Sequence, residues 1–133
     1  MKKSLILLFC ALMFVSCAEL LKERERKEMQ LVAKLASLQV QGQVIDAGIV
    51  CDGCEFENDA MVYNFTVDEN LIDFDILKEC EADIRAEFEQ ELKLQSNDNE
   101  MFESLRKLDG KIIYRFIGDT TGKTIVLTID VPN

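Results

Sequence analysis

The chain contains no histidine and no tryptophan, and Pro132 is its only proline. Without histidine it lacks the side chain that most often acts as general base near neutral pH, and also the commonest metal ligand. That weighs against most hydrolases and against a zinc enzyme, although carboxylate chemistry stays open. Positive charge is scarce too: 15 Lys and Arg stand against 25 Asp and Glu, a formal net charge of −10. Nucleic acid, whose phosphates need a basic footprint, is therefore not an expected partner. The chain as a whole would likewise be repelled by anionic lipid headgroups.

What is present begins at the N-terminus. Lys2 and Lys3 precede an almost unbroken apolar run over residues 5–15, followed by Ser16 and Cys17. The run is about 11 residues, against about 20 needed to span a bilayer, so it reads as the apolar core of a signal peptide. Phe14-Val15-Ser16-Cys17 resembles the lipobox of bacterial lipoproteins. That resemblance implies cleavage before Cys17 and a diacylglycerol on its thiol. Ala18 in place of Asp after the lipidated cysteine is compatible with sorting to the outer membrane. Residues 1–16 hold two lysines and no acid, so the mature chain would carry 13 basic and 25 acidic residues, a formal charge of −12. The expected layout is a signal peptide at 1–16, a lipidated cysteine with a charged tether at 17–28, and one domain at 29–133.

Within that domain, Leu31, Leu35 and Leu38 recur at helical spacing, predicting a helix over about residues 20–40 whose leucine stripe faces the core. Its charged beginning, Ala18 onward, reads as a solvated tether or the exposed start of that helix, and Gly42 ends it. Residues 44–51 and 55–68 read as strands, with Met61, Tyr63, Phe65 and Val67 in strict alternation and a turn at Glu57-Asn58-Asp59. Asp73 and Asp75 are both candidate caps for a long helix reaching about residue 95, with Phe74, Leu77, Cys80, Ile84, Phe88 and Leu92 as its apolar stripe. Asn97 with Glu100 would start a short helix through Leu108. Residues 111–117 and 123–131 form the clearest hairpin signal, around Gly118-Asp119-Thr120-Thr121-Gly122. The expected fold class is α+β: an antiparallel sheet of about four strands in two hairpins, helices packed on one face, in the order α-β-β-α-α-β-β.

Asp46-Ala47-Gly48, Tyr63-Asn64-Phe65-Thr66-Val67 and Tyr114-Arg115-Phe116-Ile117-Gly118 resemble a loose group of small bacterial envelope lipoproteins and secreted proteins of unknown function. The similarity spans about residues 38–130 and implies fold and compartment, but carries over no activity.

Cys51-Asp52-Gly53-Cys54 is the sharpest local feature. In one extended strand the two Cα atoms would lie about 10 Å apart, on opposite faces, too far for a disulfide, which needs about 7 Å or less. Were Asp52-Gly53 a two-residue type I′ turn, Cys51 and Cys54 could bridge. A redox role would need a helix N-terminus after the motif to depress a thiol pKa, and none is expected there. Cys80 reads as a small buried hydrophobe on the helix stripe. Segments 55–59, 68–69 and 96–100 are acid-rich, but they lack the spacing of a calcium loop and read as solvated loops and caps. The glutamates from Glu79 to Glu91 face away from the apolar stripe, outside any cleft that would shift a pKa.

No catalytic set, metal site or cofactor emerges. The expectation is a lipid-anchored bacterial envelope protein acting as a non-enzymatic binding module through an exposed sheet face or edge, with an envelope protein as partner. Two alternatives remain: an envelope thiol–disulfide protein using Cys51 and Cys54, and an acidic inhibitor or immunity-type protein suited to a basic partner.

Overall fold

The computed structural model describes residues 15–95 and 99–133, with side chains from residue 21 onward. The signal segment up to residue 14, and Asn97 with its neighbours in 96–98, lie outside the described residues, as does the side chain of Cys17. Helix α1 (Val15–Val40) leads into strands β1 (Val44–Asp46), β2 (Ile49–Glu57) and β3 (Ala60–Val67). Three helices follow, α2 (Phe74–Glu79), α3 (Glu81–Leu94) and α4 (Glu100–Lys107). Strands β4 (Lys111–Gly118) and β5 (Thr124–Asp130) close the chain.

The sheet is five-stranded with spatial order β1-β2-β3-β4-β5, one strand more than expected. The extra strand comes from dividing the first strand segment: Ala47-Gly48 turns the chain between the pair Asp46 and Ile49. Gly48 sits at φ +87° with Ile72 and Leu71 against its backbone, so a side chain there would be both strained and crowded. Asn58 and Asp59 form the next turn, both at positive φ (52° and 59°), joining the paired residues Glu57 and Ala60. That is the geometry of a two-residue type I′ hairpin, and Asn and Asp are the residues other than glycine that tolerate it best.

The sheet is also mixed rather than wholly antiparallel. β3 and β4 pair in parallel, Tyr63 beside Tyr114 and Phe65 beside Phe116, while the other three pairings are antiparallel. A hairpin turn cannot join parallel neighbours, and the helices between β3 and β4 supply the long crossover they need. The helix expected over residues 73–95 is broken at Cys80, which ends α2 and begins α3. Asp73 caps α2, accepting from the backbone N–H of Asp75 and Ile76, as its sequence position suggests. α4 is capped by Asn99, which accepts from Phe102 N at 3.2 Å, rather than by Asn97.

Helices cover one face of the sheet, and the sequence pattern explains how. Inward-pointing Met61, Phe65 and Val67 of β3 meet Ile112, Tyr114 and Phe116 of β4 and Ile125, Leu127 and Ile129 of β5 in one core. Phe102 and Leu105 of α4 enter the same core fully buried. The helix α1 does not present its leucines to it. Met29 and Ala33 are buried, Ala36 and Val40 pack beside them, and Leu31, Leu35 and Leu38 lie on the opposite side, 59%, 56% and 75% exposed. Small residues explain the choice: alanines and Ser37 let the helix lie close against β2, where leucines would hold it off. Segment 17–28 is part of this helix, and Arg26 anchors it with a 2.8 Å ion pair to Asp59 in the β2–β3 turn.

Candidate binding groove

α3 crosses the sheet face without sealing it. Ile84 and Phe88 on α3, Leu77 on α2, Ile45 and Ile49 at the start of the sheet and Phe116 on β4 line a groove of about 240 Å³. Asp46, Glu87 and Glu91 stand along its rim. Its inner wall is rigid. The Phe88 ring stacks on Tyr114 with centroids 4.1 Å apart, and Tyr114 and Phe116 both stack on Phe65, at 6.1 and 4.8 Å. Offset aromatic stacks of this kind hold side chains in place as well as burying area. Burial keeps the Tyr114 hydroxyl protonated far above its usual range and pushes Tyr63 up to about 12. Neither phenol supplies a proton-transfer group at neutral pH.

One side of the groove is the edge of the sheet. β1 pairs with β2 alone, and among the described residues no strand covers its other edge. Its apolar side chains are unusually bare, Val44 at 67% and Ile45 at 45% exposure. Protein edge strands are normally short, charged or covered, because open N–H and C=O groups invite another strand. β1 has the shortness but, apart from Asp46, not the charge.

The groove residues were only half legible beforehand. Leu77, Ile84 and Phe88 belong to the expected helix stripe, and Glu87 and Glu91 to the acidic array placed on its far side. The overlooked signal is spacing: Glu87 and Glu91 fall three and seven positions after Ile84, so they flank the stripe instead of opposing it.

The Cys51–Cys54 motif sits elsewhere, beneath α1. The strand is extended through it, but Asp52 is an extra residue: Cys51 pairs with Phe65 and Gly53 with Asn64. This β-bulge shifts the alternation by one, so both cysteines point into the core instead of to opposite faces. Asp52-Gly53 is thus a bulge and not a turn, Gly53 adopting φ +139°. α1 closes over it, with Ser37 Oγ accepting from Cys54 N at 3.1 Å and Ala33 O accepting from the Cys54 thiol at 3.4 Å. Both thiols are free, and the bridge between Cys51 and Cys54 is not formed. Burial pushes Cys54 up to about 11 and raises Cys51 as well, opposite to what a reactive thiolate requires. Cys80, expected in the core, is exposed at the α2–α3 break.

The acidic segments have structural partners. Glu69 reaches into the β4–β5 turn and accepts from the backbone N–H of Thr120 and Thr121 at 2.7 and 2.6 Å and from the Thr121 hydroxyl at 2.8 Å. Those bonds, led by the Thr121 amide, hold its carboxyl below the usual range. On the helix-free sheet face Arg115 lies 3.4 Å from Glu57 and 3.9 Å from Glu55, so that surface largely satisfies its own charges. Among the described residues no group of three acidic or thiol side chains is placed to hold a metal ion.

No protein-family model matches the chain, and no curated protein matches it in sequence. Among solved structures, a Pseudomonas aeruginosa protein provisionally described as secreted superposes with a TM-score of 0.62 at 16% identity, over 82% of this chain and 91% of that one. The pilotin of the Vibrio vulnificus type 2 secretion system covers the same 82% of this chain and 94% of its own, with a TM-score of 0.47 and 8% identity. The Pseudomonas likeness shows a shared fold.

Proposed function

We propose that the protein is a lipid-anchored bacterial envelope protein, without enzymatic chemistry, that binds a cationic, amphipathic segment of a partner in the groove between α3 and β1. The observation that carries this is the combination at one site of an apolar floor, an acidic rim and an open strand edge. The size of the groove selects the class of occupant. Small-molecule sites are typically about 300–1,000 Å³, so about 240 Å³ suits one or two apolar side chains of a peptide better than a whole ligand. Lysine or arginine beside those anchors would meet Glu87, Glu91 and Asp46, and an extended segment could add to the β1 edge by main-chain hydrogen bonds. The lipobox-like Phe14-Val15-Ser16-Cys17 supports the anchor, and the secreted description of the Pseudomonas protein supports the compartment. The thiol–disulfide alternative has no support from the two raised thiols.

The test is a titration of the isotopically labelled protein with two synthetic peptides of alternating residues, Lys-Leu and Glu-Leu. The Lys-Leu peptide should shift resonances of Ile45, Leu77, Ile84 and Phe88 saturably, with affinity that falls as salt rises. Glu87→Gln with Glu91→Gln should weaken binding several-fold, whereas Glu79→Gln with Asp83→Gln, an equal loss of charge off the groove, should not. Equal effects of the two pairs, or equal binding of the Glu-Leu peptide, would contradict groove recognition.

A further inference from the structure

The face of α1 turned away from the core carries Leu31, Leu35 and Leu38, spaced four and three apart and more than half exposed. Arg24, Lys27 and Lys34 surround them, all exposed, with Glu28 as the one acid on that face. In a chain so rich in carboxylates this is a concentration of positive charge on one stripe. The helix is continuous from Val15 to Val40, so its phase can be followed back to the anchor position. Position 17 lies two heptads before Leu31 and three before Leu38, which places it on the same side of the helix as the leucines, to within the drift of a 3.6-residue period.

We propose that this face of α1 lies flat in the headgroup region of the membrane that holds the lipid on Cys17. The leucines would enter the acyl boundary and the three cations would meet anionic headgroups. The inference rests on the anchored reading of Cys17. An interfacial helix needs an apolar strip flanked by Lys and Arg; the lipid on Cys17 supplies the attachment, and α1 would set how the body lies on the surface. A second copy of the chain is the less suitable occupant. Leu31 to Leu38 spans about 10 Å of helix, a single heptad, where a coiled-coil seam needs three or four. The net negative charge of the body is no obstacle, because it is screened beyond about a Debye length of 8–10 Å while the α1 cations sit at the surface.

The experiment uses the full lipidated chain, reconstituted in vesicles of phosphatidylethanolamine and phosphatidylglycerol that carry a shallow nitroxide-labelled lipid. In a Cys80→Ser background, a fluorophore is placed through Lys34→Cys on α1 or Val126→Cys on the helix-free face of the sheet, and quenching is compared. The face proposal predicts several-fold stronger quenching at position 34. Leu31→Ser with Leu35→Ser and Leu38→Ser should abolish the difference while the melting temperature and the vesicle-bound fraction stay the same. Equal quenching at both positions on a chain of confirmed lipid mass would overturn the face proposal and leave the anchor standing. Absence of lipid mass would overturn the anchor and this inference with it. Protection of position 34 that appears in detergent without vesicles and rises with protein concentration would assign the face to a second copy and overturn the proposal.

Discussion

Gly53→Ala tests the seat of α1 on the sheet, because two costs meet at that residue. A Cβ on Gly53 would lie 2.4 Å from Ser37 Oγ, and φ +139° is a conformation that L side chains rarely adopt. The backbone strain alone is worth about 1–3 kcal/mol. Relieving the clash means moving Ser37 Oγ away from Cys54 N, and losing that hydrogen bond to a half-buried amide adds about 1–2 kcal/mol. Gly53→Ala should therefore destabilise by about 2–5 kcal/mol in urea unfolding. The coupling can be isolated. In a Ser37→Ala background the clashing oxygen is gone, and the remaining Ser37 Cβ atom at 3.7 Å is an ordinary contact. There Gly53→Ala should cost only its backbone share, leaving a coupling of about 1–2 kcal/mol in the double-mutant cycle. Additivity to within about 0.5 kcal/mol, or a neutral Gly53→Ala, would refute the bulge as the place where α1 docks.

Three further outcomes follow from the same geometry. Met29→Ala should cost about 2–4 kcal/mol, while Leu35→Ala should stay within about 0.5 kcal/mol in the detergent-free soluble domain, as measured by urea unfolding; the reverse order would return the leucines to the core. Alkylation at pH 8 followed by peptide mapping should label Cys80 first. Burial pushes the Cys54 thiol up to about 11, so it holds little thiolate at pH 8, and labelling at the Cys80 rate would contradict its burial. Glu69 has its folded pKa depressed, so its contribution is present above the unfolded value of about 4.3 and is lost as pH falls through the folded one. Thermal melts of the native protein and Glu69→Gln should accordingly differ at pH 6, and the gap should narrow as pH falls below about 4.3; a gap that does not narrow in acid would mean the β4–β5 turn is not held by that carboxylate.

What the sequence revealed and what it hid divide along physical lines. Period-two alternation in β3, β4 and β5 and the Asp73 cap are local properties, and they stand where the residues put them. The core face of α1 was misread because a hydropathy pattern favours large side chains: Leu31, Leu35 and Leu38 outweigh Met29, Ala33, Ala36 and Val40, yet the close approach to β2 favours the small ones. The bulge at Asp52 was invisible because a single inserted residue reverses the alternation, and Asp-Gly is equally good turn chemistry. The parallel pairing of β3 with β4 depends on a crossover of more than forty residues, which no local pattern encodes. As for the site, the stripe through Leu77, Ile84 and Phe88 was legible. That it would be left partly uncovered beside a bare β1 was not, because coverage depends on where α3 crosses the sheet.

The most direct test of an anchored, non-redox binding protein is the intact mass of the chain purified from its native envelope, alkylated under denaturing conditions without reductant. The account predicts a chain beginning at Cys17 that carries diacylglycerol and bears three alkyl groups, on Cys51, Cys54 and Cys80. A chain without lipid would contradict the anchor. A single alkyl group with the loss of two hydrogens would mean that two of the three cysteines are bridged, and would return the thiol–disulfide reading to first place.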